Sequence, residues 1–318
     1  MTDVKIKPII SEKTRYNGYK AARSLKEVVL AIFFAVLLLG VIYTILAPII
    51  GLISLSFMQV DDIFNPTVFL IPLNPTLDNI RNAIRFSNYW NILTFTMIYS
   101  LGLALLHVMV ASFVGYGFAR YKFYGNNIIF AVVIFTIILP SQVYMGPLFM
   151  QMRFFGPTEI NLIGSYWSII ILTSVGMGLR SGLFIYIFRQ FFRGLPTEIS
   201  EAAFIDGAGP IKTFLLVMMP NAKPAIVTVL MLALVWTYGD NFYSGVLLPT
   251  TNFVHNSMGQ IFQNLLNSRG NFQSDYNLTA AQIATYAGIL LIIAPILLIY
   301  AVLQRQFIEG IERSGIVG

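Results

Sequence analysis

Glu201-Ala202-Ala203-Phe204-Ile205-Asp206-Gly207, separated by nine residues from Val217-Met218-Met219-Pro220, is a short stretch with polar edges set between two long apolar runs. The chain enters it as Arg193-Gly194-Leu195-Pro196-Thr197-Glu198-Ile199-Ser200. Proline at the first helical position, acids in the first turns and glycine just past the end are start and stop signals of a helix. Pro196, Glu198, Glu201 and Gly207 supply them in that order, which predicts a helix of about two to three turns with Gly207 as its stop. Gly209-Pro210 then opens a second short helix through Ile211, Phe214 and Leu215 that ends before Pro220. Ala202 and Ala203 keep one side of the first helix small enough to enter a groove on another protein, and Glu201 and Asp206 offer carboxylates to basic residues there. Residues 193–220 therefore read as a docking loop on the inner face of a membrane protein.

The surrounding composition sets that context. Hydrophobic residues make up 57% of the 318 and charged residues 11%, with a mean hydropathy of +0.74, outside the range of an ordinary soluble chain. There is no cysteine, and His107 and His255 are the only imidazoles, so thiolate catalysis and a resident metal centre are not expected. No G-x-x-x-x-G-K-[ST] pattern occurs, so nucleotide hydrolysis would have to come from another subunit. Seven of the twenty Lys and Arg residues lie between Lys5 and Lys26, ahead of the first apolar run. That placement suits an anionic inner leaflet rather than nucleic acid.

Six apolar segments are long enough to cross a hydrocarbon core, which takes roughly 20 helical residues. They are Val28 to Ile53, Ile92 to Ala119, Ile128 to Met150, Tyr166 to Phe188, Ala225 to Leu248 and Ala280 to Leu303. The first is too long for a cleaved signal peptide and is expected to remain as an anchor. An all-α integral membrane protein follows, with a basic segment 1–27, a membrane domain 28–318 and a tail 304–318. An even count puts both termini on one side. With that side cytoplasmic, the inner segments collect most of the basic residues and the outer ones only Arg81, Arg85, Arg153 and Arg269. The outer segment Met58 to Tyr89 reads as a turning surface lobe, with an amphipathic piece around Leu77 to Ile84, that contacts a partner subunit. The other long outer segment, Pro249 to Asn277, shows no usable period.

Ionisable groups inside the spans mark candidate functional positions. Counted along ideal helices, Arg180 lies about 21 Å and Asp240 about 12 Å below the outer end of their spans, too far apart for an ion pair. Arg180, Trp236, Tyr238, Asp240 and Asn241 are candidates to line a translocation path; packing against neighbouring helices is the competing role for Arg180 and Asp240. His107 reads as a hydrogen-bonded packing residue, and Gly178 and Gly182 as a close-packing pair on one helix. Pro140, Pro147 and Pro295 are candidate kinks.

The spacing Glu201-Ala202-Ala203, three residues, Gly207, nine residues, Val217-Met218-Met219-Pro220 resembles the EAA motif of binding-protein-dependent ABC importer permeases. Gly115-Tyr116-Gly117-Phe118-Ala119-Arg120, Leu139-Pro140-Ser141-Gln142 and the tail Gln304-Arg305-Gln306-Phe307 are similar to the maltose-type sugar branch, and the chain is identified as a MalG-like member. Two positions depart from the branch pattern. Val235-Trp236-Thr237-Tyr238-Gly239-Asp240-Asn241-Phe242 stands where Trp-Asn-Asp or Trp-Asn-Glu is usual, and Val317 where Lys is usual. The resemblance implies a type I importer architecture of six transmembrane helices with a cytoplasmic coupling helix. Glu201, Ala202, Ala203, Asp206, Gly207 and Pro220 would then form the ATPase-coupling element. It also implies a second, MalF-like permease, an ATPase dimer that binds ATP and Mg, an extracellular sugar-binding protein, a carbohydrate cargo and a place in the cell membrane. No cofactor in this chain, no chemistry of its own and no nucleic acid are implied. An ABC permease for another solute, or an ion-coupled transporter or channel, are the alternatives.

Overall fold

The computed structural model describes residues 12–269 and 274–315, with side chains left undescribed at 12–25, Met258, Arg269 and 306–315. The start of the basic segment and the last three residues, Val317 among them, lie outside the described residues. All regular structure among the described residues is helical. Helix α1, Glu12–Phe57, contains the first apolar segment; its most apolar window has no buried residue, while Ser54 and Ser56 near its end are buried. The outer lobe follows as α2, Val60–Phe64, and α3, Asp78–Ser87. Buried Asn79 ties the lobe down by donating to the Met58 and Ser56 carbonyls at 2.7 and 3.2 Å. Helix α4, Tyr89–Arg120, is the second unbroken apolar helix, and α15, Asp275–Gly315, the third.

The remaining apolar segments are broken. Helices α5, Asn126–Ile138, and α6, Ser141–Arg153, meet at 107° across Leu139-Pro140. Proline cannot donate to the preceding turn and pushes the residue before it out of helical geometry, so the predicted kink is here a full elbow. The fourth segment, expected as one span over Tyr166 to Phe188, is α7, Trp167–Ser174, and α8, Ser181–Gly194. Between them the backbone reverses at Gly176 (φ 75°) and Arg180 (φ 59°). The fifth ends at Tyr238 and resumes as α13, Phe242–Leu247. Counted by length and composition among the described residues, three helices can cross a membrane alone, or up to five if each bent pair is one span. A tally of apolar residues could not see the break between α7 and α8, because Val175-Gly176-Met177-Gly178-Leu179 holds no polar side chain.

Helices α9, Thr197–Ile205, α10, Pro210–Thr213, α11, Met219–Asn221, and α12, Lys223–Tyr238, build the inner loop and its return to the bundle. A 3-10 turn at Val254–Asn256 leads to α14, Ser257–Arg269. That helix packs with α3 against α15 through Ile261, Leu265, Ala83, Ala280 and Ala284. The α3 part of the outer lobe thus packs within the chain, while Phe69, Ile71 and Leu73 ahead of it stay exposed.

Two clusters hold the centre. An inner one joins α4, α8 and α12 through Ala104, Val108, Phe184, Phe188, Phe192, Val229 and Ala233, and an outer one joins α6, α7 and α13 through Met145, Leu148, Ile169, Leu172 and Leu247. Lipid tails are as apolar as leucine, so such helices associate by close contact, and small residues set how near they come. Gly178 and Gly182 do serve close packing, though not as a pair on one helix. A methyl group on Gly178 would lie 2.8 Å from the His107 ring, and one on Gly182 3.0 Å from the Val133 carbonyl.

Candidate functional site

The inner loop is fastened at its root. The Arg120 guanidinium, at the end of α4, donates to the Leu195 and Pro196 carbonyls at 2.9 and 3.2 Å, fixing where α9 begins. Pro196 is the extended residue before the helix (φ −55°, ψ 141°) rather than its first helical residue, one position off the expectation. The stop is as expected. Gly207 has φ 80°, and the Gly207 and Ala208 amides donate to the Phe204 and Ala203 carbonyls at 3.0 and 2.9 Å. These are the two bonds of a Schellman cap, which needs a left-handed residue where Gly207 stands.

Burial sorts the motif into two faces. Ser200 and Ala203 pack inward, whereas Glu201, Ala202, Phe204, Ile205 and Asp206 are exposed. Ala203 is therefore on the buried face of α9 and not, with Ala202, part of an outward small face. The reason is helical phase, since residues three apart share a face. Ile205 is 86% exposed and Ile211 66%, so the tip presents apolar side chains ringed by Glu201 and Asp206.

The second helix does not end before Pro220. After α10 the chain makes a π turn over Phe214–Met218, with the Met219 amide reaching back to Phe214, and runs on through Pro220 to Asn221 before bending by 81° into α12. The wider turn places proline's missing donor where the ladder is already offset. Phe214, Met218 and Ala222 bury this connection against Phe192 and Tyr116, whose ring lies 5.1 Å from that of Phe214.

The structure divides the five candidate path residues. Arg180 and Trp236 meet: the guanidinium sits 5.5 Å from the indole, which stacks in turn on Phe184 at 5.7 Å. The break after α7 brings them together, a juxtaposition hidden when the fourth segment is counted as one helix. Tyr238 turns the other way, buried and donating to the Ile292 carbonyl at 2.8 Å. Asp240 accepts the Phe242, Tyr243 and Ser244 amides at 3.2, 3.1 and 2.8 Å, so its carboxylate caps α13. Asn241 is exposed beside it. Asp240→Ala should cost about 0.5–2 kcal/mol, the usual loss of a helix cap, read as a lower melting temperature of the purified protein, with Asp240→Asn retaining most of it.

Tyr99, Tyr144, Thr173 and Tyr243, which the sequence did not flag, complete the surroundings. A narrow enclosed pocket collects Tyr99, His107, Thr173, Asp240 and His255, and Tyr144 and Tyr243 share a 2.7 Å hydroxyl contact nearby. Burial lowers the His255 pKa, and the Asp240 carboxylate opposes that shift. His107 is the packing residue expected, edge-on to Phe184 at 5.1 Å with Ser181 at 3.4 Å. A larger cavity of about 290 Å³ lies between the α5–α6 elbow and the α7–α8 break, with Arg180 in its wall. Irregular backbone at membrane depth is tolerated where it borders such a cavity.

With this geometry in hand, residues 107–313 match the family described as the binding-protein-dependent transport system inner membrane component, and the chain belongs to it. It is 29% identical over 267 residues to a probable ABC transporter permease protein of Pyrococcus horikoshii, covering 83% of this chain and 90% of that one. It is 27% identical over 274 residues to the arabinooligosaccharides transport system permease protein of Halalkalibacterium halodurans, covering 85% and 91%. Among solved structures it resembles a chain of a bacterial ABC transporter involved in the import of the acidic polysaccharide alginate. That match has a TM-score of 0.65 at 21% identity, over 95% of this chain and 100% of the other, a likeness of fold. The all-helical membrane permease architecture read from the sequence is the one found.

Proposed function

We propose that this chain is one of two permease subunits of an ATP-driven importer for a carbohydrate, an oligosaccharide in particular. The second permease is MalF-like, ATP and Mg reside on a separate ATPase dimer, and an extracellular sugar-binding protein delivers the cargo. The basic residues at the inner ends support a cell-membrane placement with both termini cytoplasmic. Arg180 and Trp236, with Asn241 at the rim, border the path.

One observation carries this reading: the root of α9 is held by Arg120 and its inward face, Ser200 and Ala203, is buried, while its other face, Glu201, Phe204 and Ile205, is exposed. A rigidly rooted knob with an exposed apolar tip is suited to transmit movement of a partner to the helices behind it. The test is purification of the tagged chain with its neighbours, then uptake in proteoliposomes. A nucleotide-hydrolysing subunit should co-purify. Glu201→Lys, which reverses the charge at the tip, should cut ATP-driven uptake by about tenfold or more, the scale of a lost charge-assisted contact, while insertion stays normal. Undiminished uptake by this variant would remove Glu201 from the contact.

A further inference from the structure

We propose that the cavity walled by Arg180 receives a carboxylate-bearing saccharide, making this permease selective for acidic over neutral sugars; the inference rests on the carbohydrate reading above. The cavity, at about 290 Å³, is at the small end of ligand pockets, which start near about 300 Å³. Arg180 is the single charge in its wall, and the polar remainder includes Thr136, Ser141, Tyr144, Gln151 and Ser181, hydroxyl and amide groups that match sugar hydroxyls. No Asp or Glu lines it. Among the described residues Arg180 makes no ion pair. Its contact with Trp236 steadies the guanidinium without neutralising it.

The local field adds to the imbalance. Arg180 immediately precedes the 14-residue helix α8, whose positive end carries the same sign. Asp240, the acid expected within the fifth apolar segment, has its carboxylate occupied by three backbone amides. A cation at membrane depth is costly unless an anion or water meets it. A guanidinium accepts a carboxylate through two parallel bonds, and the flanking hydroxyls would hold the ring that bears it.

The test uses the whole transporter, purified with its partner subunits and binding protein and reconstituted in proteoliposomes. Uptake is compared for a radiolabelled hexuronate oligosaccharide and its carboxyl-reduced, neutral counterpart. The wild type is expected to prefer the oligouronate. Arg180→Gln should raise the KM for that sugar by about tenfold to a hundredfold more than it raises the KM for the neutral one, with Arg180→Lys intermediate. Three results would overturn the inference: a wild type that prefers the neutral sugar, an equal loss for both sugars in Arg180→Gln, or loss of the second permease from the purified variant, which would make a protein carboxylate the partner. Uptake of neither sugar by the wild type would instead overturn the carbohydrate reading, and this one with it.

Discussion

Gly115→Ala is expected to lower the melting temperature of the purified transporter by a few degrees, and Gly115→Val to prevent recovery of a folded subunit. The argument is spatial. At Gly115 the axes of α4 and α8 pass so close that an added methyl carbon would lie 2.7 Å from Phe188 Cβ and 2.9 Å from the Arg189 backbone nitrogen. A flexible side chain can move aside, but backbone cannot, so the helices must separate. Phe188 and Phe192 are fully buried in that seam, and separation loosens their contacts too. Overpacking of this kind costs typically about 1–3 kcal/mol. For a chain of this size each kcal/mol shifts melting by about 1–2 °C. Thermal unfolding in detergent, followed by intrinsic fluorescence, measures it. A Gly115→Ala protein that melts with the wild type would show that the helices do not meet there.

Gly207→Val should leave folding intact and cut ATP-driven uptake at least fivefold. Nothing lies within 4 Å of a methyl placed there, so the cost is conformational alone: the residue sits at φ 80°. Left-handed backbone costs an L-residue roughly 1–2 kcal/mol, a factor of about five to thirty in the population of the capped loop, and branching at Cβ adds to it. The penalty falls on the turn that hands α9 to α10, outside the buried clusters. Asparagine visits this conformation readily, so Gly207→Asn should keep most of the activity. The readout is uptake by proteoliposomes containing equal amounts of assembled transporter. Equal uptake by the valine and asparagine variants would mean that the cap geometry does not matter to transport.

How far these features could be read in advance depends on where the information resides. The Schellman stop was legible because Gly207 carries its backbone preference with it wherever it is placed. Pro140 announced a bend for the same reason, though not its 107° size, which packing decides. The break between α7 and α8 stayed hidden because Gly176 and Gly178 register as apolar in a span count, and Arg180 then received a depth along a helix that is not continuous. Asp240 read as a membrane charge because capping depends on α13 starting two residues later, a boundary that hydropathy does not mark. Ala203 was assigned outward because a short helix with alanines on several sides has little phase of its own. Helix α14 escaped notice because its apolar residues, Ile261, Leu265 and Leu266, are spaced among Asn and Gln that dilute the pattern.

The interruption at 175–180 makes α8 a lever. Its outer end is Arg180, its inner end is held at Leu195 and Pro196 by Arg120, and the span between is about 21 Å of stiff helix. On the far side of the joint, α7 is bolted to a different cluster. A torque applied at the inner loop is therefore passed along α8, together with α4 and α12 packed on it, to the joint beside Arg180.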